Sequence, residues 1–299
     1  MAEITKPAPA VRTPTQTSGR MVRREASATP EKAAVRRRRR RLIEILLGFG
    51  APVLLFVVWQ VAATSGALNP LFFPPPTDVW RAALELIESG ELFDHLWASL
   101  TRVLIGCAMG VVSGVAAGIA LGASRWVRAT LEPLLSALYT VPKLAIFPLL
   151  LLIFGLTDTA LNVAIGMTVF FFMWVSTMAA FLAVSPGHRE VAQSFHAGSW
   201  LTFRHVLFPA ALPQMFIGLR MSVSVAVLMM VGVEFTQANK GIGYLIWYSW
   251  TLFQAPRMYV GIVAVALMGL LLSNLVKWVS LLVLPWARVE IEGGDRNLL

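Results

Sequence analysis

Long stretches without charge are the feature that most limits what this chain can fold into. Residues 159–184 carry no charged side chain, and about 20 residues at 1.5 Å each suffice to cross the apolar core of a bilayer. The whole chain is 57% hydrophobic and only 14% charged, with a mean hydropathy of +0.69. A water-soluble domain does not have this composition, so the sequence predicts an all-α integral membrane protein.

Six membrane spans are predicted from these apolar runs. They cover residues 42–63, 96–122, 131–154, 159–184, 214–236 and 258–286. The third contains Pro142 and Pro148 on either side of Lys143 and is expected to be kinked. The second has a glycine at every fourth position from Gly106 to Gly122, and such a stripe lets another helix approach closely. Packing against a neighbouring helix is the favoured interpretation of this stripe.

The charge is concentrated before the first span. Residues 1–41 hold 12 of the 25 basic and 3 of the 16 acidic residues, which equals the whole net charge of +9. The run Arg36–Arg41 predicts a cytoplasmic amino terminus and would also attract anionic lipid. A cleavable signal peptide is the alternative, but the apolar run that follows is too long for a typical signal core. The rest of the chain is neutral, so its charge indicates no nucleic-acid partner.

This charge pattern divides the chain into three parts. Residues 1–41 are predicted to be a disordered, basic cytoplasmic tail. Residues 42–286 form the transmembrane domain, and residues 287–299 are expected to return to the cytoplasm. With six spans, both termini lie inside.

A polar stretch separates the fourth and fifth spans, at residues 186–212. Helical composition predicts a first short helix over residues 188–196, and a turn is expected at Gly198. A second short helix is predicted from Trp200 to Val206, ended by Pro209 and Pro213. Such a segment suits docking into the groove of a partner. An ordinary amphipathic loop lying on the membrane is the alternative that the residues alone leave open.

This stretch resembles the signature loop of permease subunits of binding-protein-dependent ABC importers. That loop reads Glu-Ala-Ala, three residues, Gly, nine residues, Ile, one residue, Leu-Pro. The matching positions are Glu190, Ala192, Val206, Phe208 and Pro209. His196 stands where the family has its Gly, and Gly198 follows two residues later. This difference from the family pattern affects the geometry of the turn, because Gly adopts backbone angles that His adopts only reluctantly.

Three further pieces are similar to the subfamily that handles sulfonates, taurine, nitrate and similar small solutes. They are Phe73-Pro-Pro-Pro-Thr77, Val141-Pro-Lys-Leu-Ala-Ile-Phe-Pro148 and Gly241-Ile-Gly-Tyr-Leu245. The resemblance implies the type I importer fold in a bacterial inner membrane. It also implies a second copy of the chain, two ABC ATPase subunits and an extracytoplasmic solute-binding protein as partners.

Roles for single residues in the loop follow from the same resemblance. Glu190 is expected to begin the first short helix, where a carboxylate favours the positive end of the helix dipole or meets a basic residue of the ATPase. Phe195, Trp200 and Phe203 are expected to be the aromatic anchors in the ATPase groove.

Two ionisable residues lie nearest to membrane depth, and no cofactor is predicted. Lys143 and Glu234 either flank the translocation path or reach the interface from helix ends, since a buried charge needs a partner or a wet cavity. The histidines do not cluster, so no metal site is expected. The sequence also lacks the Gly-x4-Gly-Lys-Ser/Thr loop that cradles ATP phosphates. An ion-coupled secondary carrier is the alternative function, but it predicts inverted repeats that are not evident here.

Overall fold

The computed structural model describes residue 48 and residues 50–287. Over these residues the chain forms α-helices joined by short breaks, and it contains no β-strand. The helices are α1 (Gly50–Thr64), α2 (Pro76–Glu88), α3 (Glu91–Ala123), α4 (Arg125–Thr140), α5 (Lys143–Phe154), α6 (Asp158–Ala183), α7 (Pro186–Ser194), α8 (Ser199–Thr202), α9 (Phe208–Gln237), α10 (Ile242–Thr251) and α11 (Ala255–Val283). A π-helical segment, Phe203–Leu207, joins α8 to α9. All packing described below lies within the compact unit that begins at Val58.

The predicted all-α membrane architecture is confirmed. Four stretches of the described chain are long and apolar enough to cross a bilayer: α3, α6, the continuous run Ser199–Gln237, and α11. The pair α4 and α5 makes a fifth if it is counted as one broken span. Helix α1 is shorter, and the first part of the predicted span 42–63 lies outside the described residues, as do both predicted tails.

The third predicted span is broken rather than gently kinked. Helices α4 and α5 meet at 96° across Val141 and Pro142. The residue before a proline is pushed out of the helical region, which explains why α4 stops there. Helix α4 begins directly after Ser124, so Arg125 and Arg128 lie in this helix.

The glycine stripe of α3 is where this helix meets α6. All five of its glycines are buried. An added Cβ on Gly106 would lie 2.6 Å from Ile165 Cγ2, and one on Gly122 would lie 2.7 Å from Phe181 Cβ. The stripe therefore lets the backbones of α3 and α6 approach closely, as predicted.

The apolar core continues from this helix pair to the other spans. Its main cluster combines Val103 of α3, Ile165 of α6, Met230 of α9 and Met268 of α11. A second cluster joins α2, α10 and the start of α11. The short helices α2 and α10 are thus packed onto one end of the bundle, and this placement positions the polar cluster described below.

Gly114→Leu is expected to lower the thermal midpoint of the protein by roughly 10 °C. A Cβ at Gly114 would lie 2.7 Å from the carbonyl oxygen of Phe170 and 2.8 Å from Met173 Cβ, and overpacking of this kind costs about 1–3 kcal/mol or more. Gly232→Ala is the matched control, because its Cβ would lie 3.4 Å from the flexible end of Leu144. Equal midpoints for the two variants, measured in detergent, would show that α3 and α6 do not require the stripe.

Candidate functional site

The polar stretch between the fourth and fifth predicted spans folds into two short helices around a concave surface. Helix α7 and helix α8 are joined by residues 195–198, and together with the π-helical segment they enclose a cavity of about 880 Å³. Its lining is mostly apolar and includes Val191, Phe195 and Leu201, with His188 and His205 as its ionisable groups. The segment therefore exposes apolar side chains on a polar part of the chain, which is typical of a docking surface.

The turn between the two helices is left-handed at His196. This residue has φ of +54°, whereas Gly198 has an ordinary φ of −62°. A left-handed backbone costs a residue with a Cβ about 1–2 kcal/mol, and glycine avoids this cost. The position at which the family pattern has glycine is thus the position at which the structure needs one.

The aromatic residues of this segment divide into two groups. Phe195 is 82% exposed and Trp200 is 69% exposed, so both are available to a partner. Phe203 is half-buried: its ring stacks on Phe181 at 5.8 Å and on the exposed Trp200 at 5.8 Å. Its role as an anchor for a partner stays a prediction, and part of the ring packs against this chain's own core.

The backbone of the segment also differs from the prediction at two points. Helix α7 begins at Pro186, so Glu190 lies beyond the first turn, and the first turn contains no acidic residue. Glu190 therefore does not lie at the positive end of the helix dipole, contrary to the sequence prediction. Pro209 and Pro213 do not end the second helix, since Pro209 lies in the first turn of α9 and Pro213 lies within it.

The remaining predicted positions of the loop are partly enclosed. Ala192 is buried, and its carbonyl accepts a hydrogen bond of 3.0 Å from the N–H of Ala197, which closes the turn. Val206 lies in the π-helical segment and lines the cavity. Glu190 is exposed on α7.

Lys143 lies at the break between α4 and α5. Its ammonium donates to the carbonyl oxygens of Leu138, at 3.2 Å, and Tyr139. It also lies 4.5 Å from the centroid of the Phe171 ring and 5.0 Å from that of Tyr139. A cation on the last carbonyls of a helix is favourable, and aromatic faces add a cation–π attraction. Lys143 therefore stabilises the break while remaining partly exposed.

Glu234 is the centre of a buried polar cluster on the same end of the bundle as α10. Its side chain is 0% exposed. Arg102 Nη1 donates to its carboxylate at 2.7 Å, the Ser99 hydroxyl donates at 2.9 Å, and the N–H of Gly243 donates at 2.8 Å. Arg102 also pairs with Asp158 at 2.7 Å and donates to the carbonyl oxygen of Lys240. A charge in the membrane is tolerated when it is paired and hydrogen-bonded in this way.

The cluster caps the amino end of α10 with side chains from other helices. His95 Nδ1 accepts the N–H of Gly241 at 3.0 Å, and Ser99 Oγ accepts the N–H of Ile242 at 2.8 Å. Together with the bond from Gly243 to Glu234, three consecutive N–H groups that a helix start leaves without partners are satisfied. The cluster thus fixes α10 to α3 and α9.

This capping explains the Gly241-Ile-Gly243 sequence. Gly241 has φ of +131°, and a Cβ there would collide with the carboxylate of Glu234. A Cβ on Gly243 would lie 2.7 Å from Glu234 Cβ. Both glycines are required because the backbone of α10 approaches the acid directly.

The sequence prediction singled out Glu234 and missed Arg102. The signal for it was present: His95, Ser99, Arg102 and Gly106 lie at helical spacing on one face of α3. Three polar residues on one face of an apolar span indicate a buried polar partner. Glu234 was the acid available to provide it.

The apolar helices and the buried charge cluster define a multi-pass membrane protein. Residues 110–289 match the family described as binding-protein-dependent transport system inner membrane component. The SsuC permease protein of Escherichia coli (strain K12), named for aliphatic sulfonates transport, is 35% identical over 79% of this chain and 89% of its own length. The taurine transport system permease protein TauC of the same organism is 29% identical over 81% of this chain and 90% of its own length.

A solved structure agrees with this assignment at the level of the fold. The inward-facing MetNI methionine ABC transporter superposes with a TM-score of 0.57 at 19% identity, covering 64% of this chain and 95% of that chain. The chain belongs to the binding-protein-dependent transport family: it is a membrane-spanning permease subunit of an ATP-driven ABC importer in a bacterial inner membrane. The predicted family and function are confirmed.

Proposed function

We propose that two copies of this chain form the import path for a small organic anion that carries a sulfonate group. The observation that supports this substrate class most directly is the similarity to SsuC and TauC over about four fifths of the chain. An external solute-binding protein delivers the anion. Two separate ATPase subunits drive transport, since this sequence lacks the phosphate-binding loop of an ATPase.

The segment from α7 to the π-helical segment is the surface that we assign to the ATPase. Two features support the assignment: the concave apolar surface, to which the exposed Phe195 belongs, and the exposed Trp200 of α8. Exposed aromatic side chains around an apolar depression are common anchors at protein interfaces. The continuity of helix from Ser199 to Gln237 supports coupling as well, because movement of α8 passes directly into the span α9.

Lys143 and Glu234 take different roles in this proposal. Lys143 is partly exposed at a break in a span whose helix α4 buries no residue within a single chain. A cation on such an open surface suits a place beside the path of an anion. Glu234 is enclosed by its own helices, so we assign it to the positioning of α10 rather than to contact with the solute.

ATP-dependent uptake by a purified complex tests this function. The chain is co-expressed with its ATPase and binding protein, purified through a tag on the permease, and reconstituted into proteoliposomes. We expect the ATPase to co-purify with the permease. Radiolabelled taurine or an alkanesulfonate should cross the membrane only when ATP is present on the ATPase side and loaded binding protein on the opposite side. Uptake driven by an ion gradient without ATP would instead establish the secondary carrier.

A further inference from the structure

Arg220 is a second cation inside a membrane-spanning helix, and it lies outside the Glu234 cluster. Its Nε donates to Ser273 Oγ of α11 at 3.2 Å, and its side chain is exposed. Among the described residues, no carboxylate oxygen lies within 4.0 Å of its guanidinium nitrogens, the limit for a salt bridge. An arginine at membrane depth is costly and normally faces a polar or anionic partner. The structure gives it only one hydroxyl.

A groove between α9 and α11 begins beside this arginine. Its volume is about 660 Å³, and its lining contains two polar residues, Ser224 and Ser273. Ser224 lies one turn from Arg220 and donates to its carbonyl oxygen at 3.2 Å, while Ser273 contacts the guanidinium. The rest of the lining is apolar and continues along both helices to Phe235 and Ile262. The groove is therefore polar at the arginine end and apolar along its length.

The orientation of this groove rests on the proposed function, which places the segment from α7 to Leu207 against the ATPase on the cytoplasmic side. Helix α9 begins at Phe208, directly after that segment, so Arg220 lies in the cytoplasmic half of α9. On α11, Lys277 follows Ser273 by one turn, and the next residue, Trp278, is 68% exposed. Exposed tryptophan beside a cation is typical of the membrane–water interface. Arg220 is thus close enough to the inner surface for its side chain to reach it.

The geometry points to a binding site for an anionic phospholipid of the inner leaflet. The phosphate lies against Arg220 and Ser273, and one acyl chain occupies the groove between α9 and α11. Charge and polarity both fit this occupant. A basic end between two spans on the cytoplasmic side attracts anionic headgroups. The apolar part of the groove suits a lipid tail, whereas it offers a small solute anion no polar partner.

Retention of lipid by the full importer complex tests the site. The complex is reconstituted in nanodiscs with equal phosphatidylglycerol and phosphatidylcholine, transferred to detergent, and the retained lipids are quantified by mass spectrometry. We expect phosphatidylglycerol to be enriched on the wild type, and Arg220→Gln to lower that enrichment roughly five-fold, the effect of one cation near the surface. Arg125→Gln removes an exposed arginine from α4, outside the groove, and should leave it unchanged.

A second variant distinguishes the contribution of the groove to lipid binding from that of the charge. Ala266 lines the groove and is exposed, so Ala266→Phe fills it without burying a larger side chain in the core. It should reduce the total lipid retained and leave the arginine in place. Equal retention of both lipids by the wild type, or unchanged enrichment in Arg220→Gln, would overturn the lipid site. Displacement of the lipid by taurine would show that Arg220 binds the solute instead. If Ala266→Phe loses the dimer while the enrichment of phosphatidylglycerol is unchanged, the groove is the contact surface for a second copy of the chain.

Discussion

Glu190→Lys is expected to abolish solute-stimulated ATP hydrolysis and uptake together, while the protein stays in the membrane as a dimer. Glu190 is exposed on α7 and forms no salt bridge with another described residue, so reversing its charge leaves the fold intact. At a close contact with a basic residue of the ATPase, loss of a charge pair costs about 2–5 kcal/mol. The measurement is the ATPase activity of the reconstituted complex with and without loaded binding protein.

Two variants of the same segment define the specificity of this result. Trp200→Ala should show the same joint loss, because it removes an exposed aromatic side chain from the docking surface. His196→Gly should keep full coupling, since glycine relieves the left-handed backbone at this position. If Glu190→Lys retains full stimulation, the segment does not transmit ATPase movement and the proposed coupling fails.

The apolar spans could be predicted from the sequence because bilayer thickness sets their length. The charge-free run at residues 159–184 corresponds to α6 within one or two residues at each end. The glycine stripe likewise predicted a close helix partner, and α6 is that partner. What the stripe could not show is which span it meets, because small residues determine only the distance of approach.

The breaks between helices were harder to predict. Proline predicted the end of α4 at Pro142 correctly, but Pro209 and Pro213 lie in a continuous helix. Proline disfavours the interior of a helix, but tertiary contacts decide where a helix starts and whether it continues past a proline. For the same reason Glu190 was expected at a helix start that the structure places at Pro186.

The polar cluster shows the main limit of reading ionisable residues one at a time. Glu234 alone fits either a solute path or a structural pair, since both place an acid at membrane depth. Its partners come from two other parts of the chain: Ser99 and Arg102 of α3, and the N–H of Gly243 in α10. Long-range pairing of this kind is set by the packing of α3 against α9, which no local pattern specifies.

Glu234→Gln is expected to lower the thermal midpoint by roughly 10 °C and to reduce transport as a consequence. The amide places an NH₂ group against donors from Arg102 and Gly243. Arg102 then keeps the carbonyl oxygen of Lys240 and, as its carboxylate partner, Asp158, whose side chain is 70% exposed. Removing one partner of a buried ion pair costs about 3–5 kcal/mol, and each kcal/mol shifts the midpoint of a chain of this size by about 2–4 °C. Thermal unfolding in detergent and uptake in proteoliposomes are the two measurements.

The relation between these two measurements distinguishes a positioning role from contact with the solute. If Glu234 holds α10 in place, the midpoint and the rate of uptake fall together, and Gly243→Ala reproduces both, because its Cβ would lie 2.7 Å from Glu234 Cβ. Glu85→Gln removes an exposed carboxylate from α2 and should change neither. If Glu234→Gln lowers uptake with an unchanged midpoint, and Gly243→Ala transports normally, the carboxylate contacts the solute. The cluster would then be part of the translocation path, because a group that acts only by holding α10 cannot affect transport without loosening that helix.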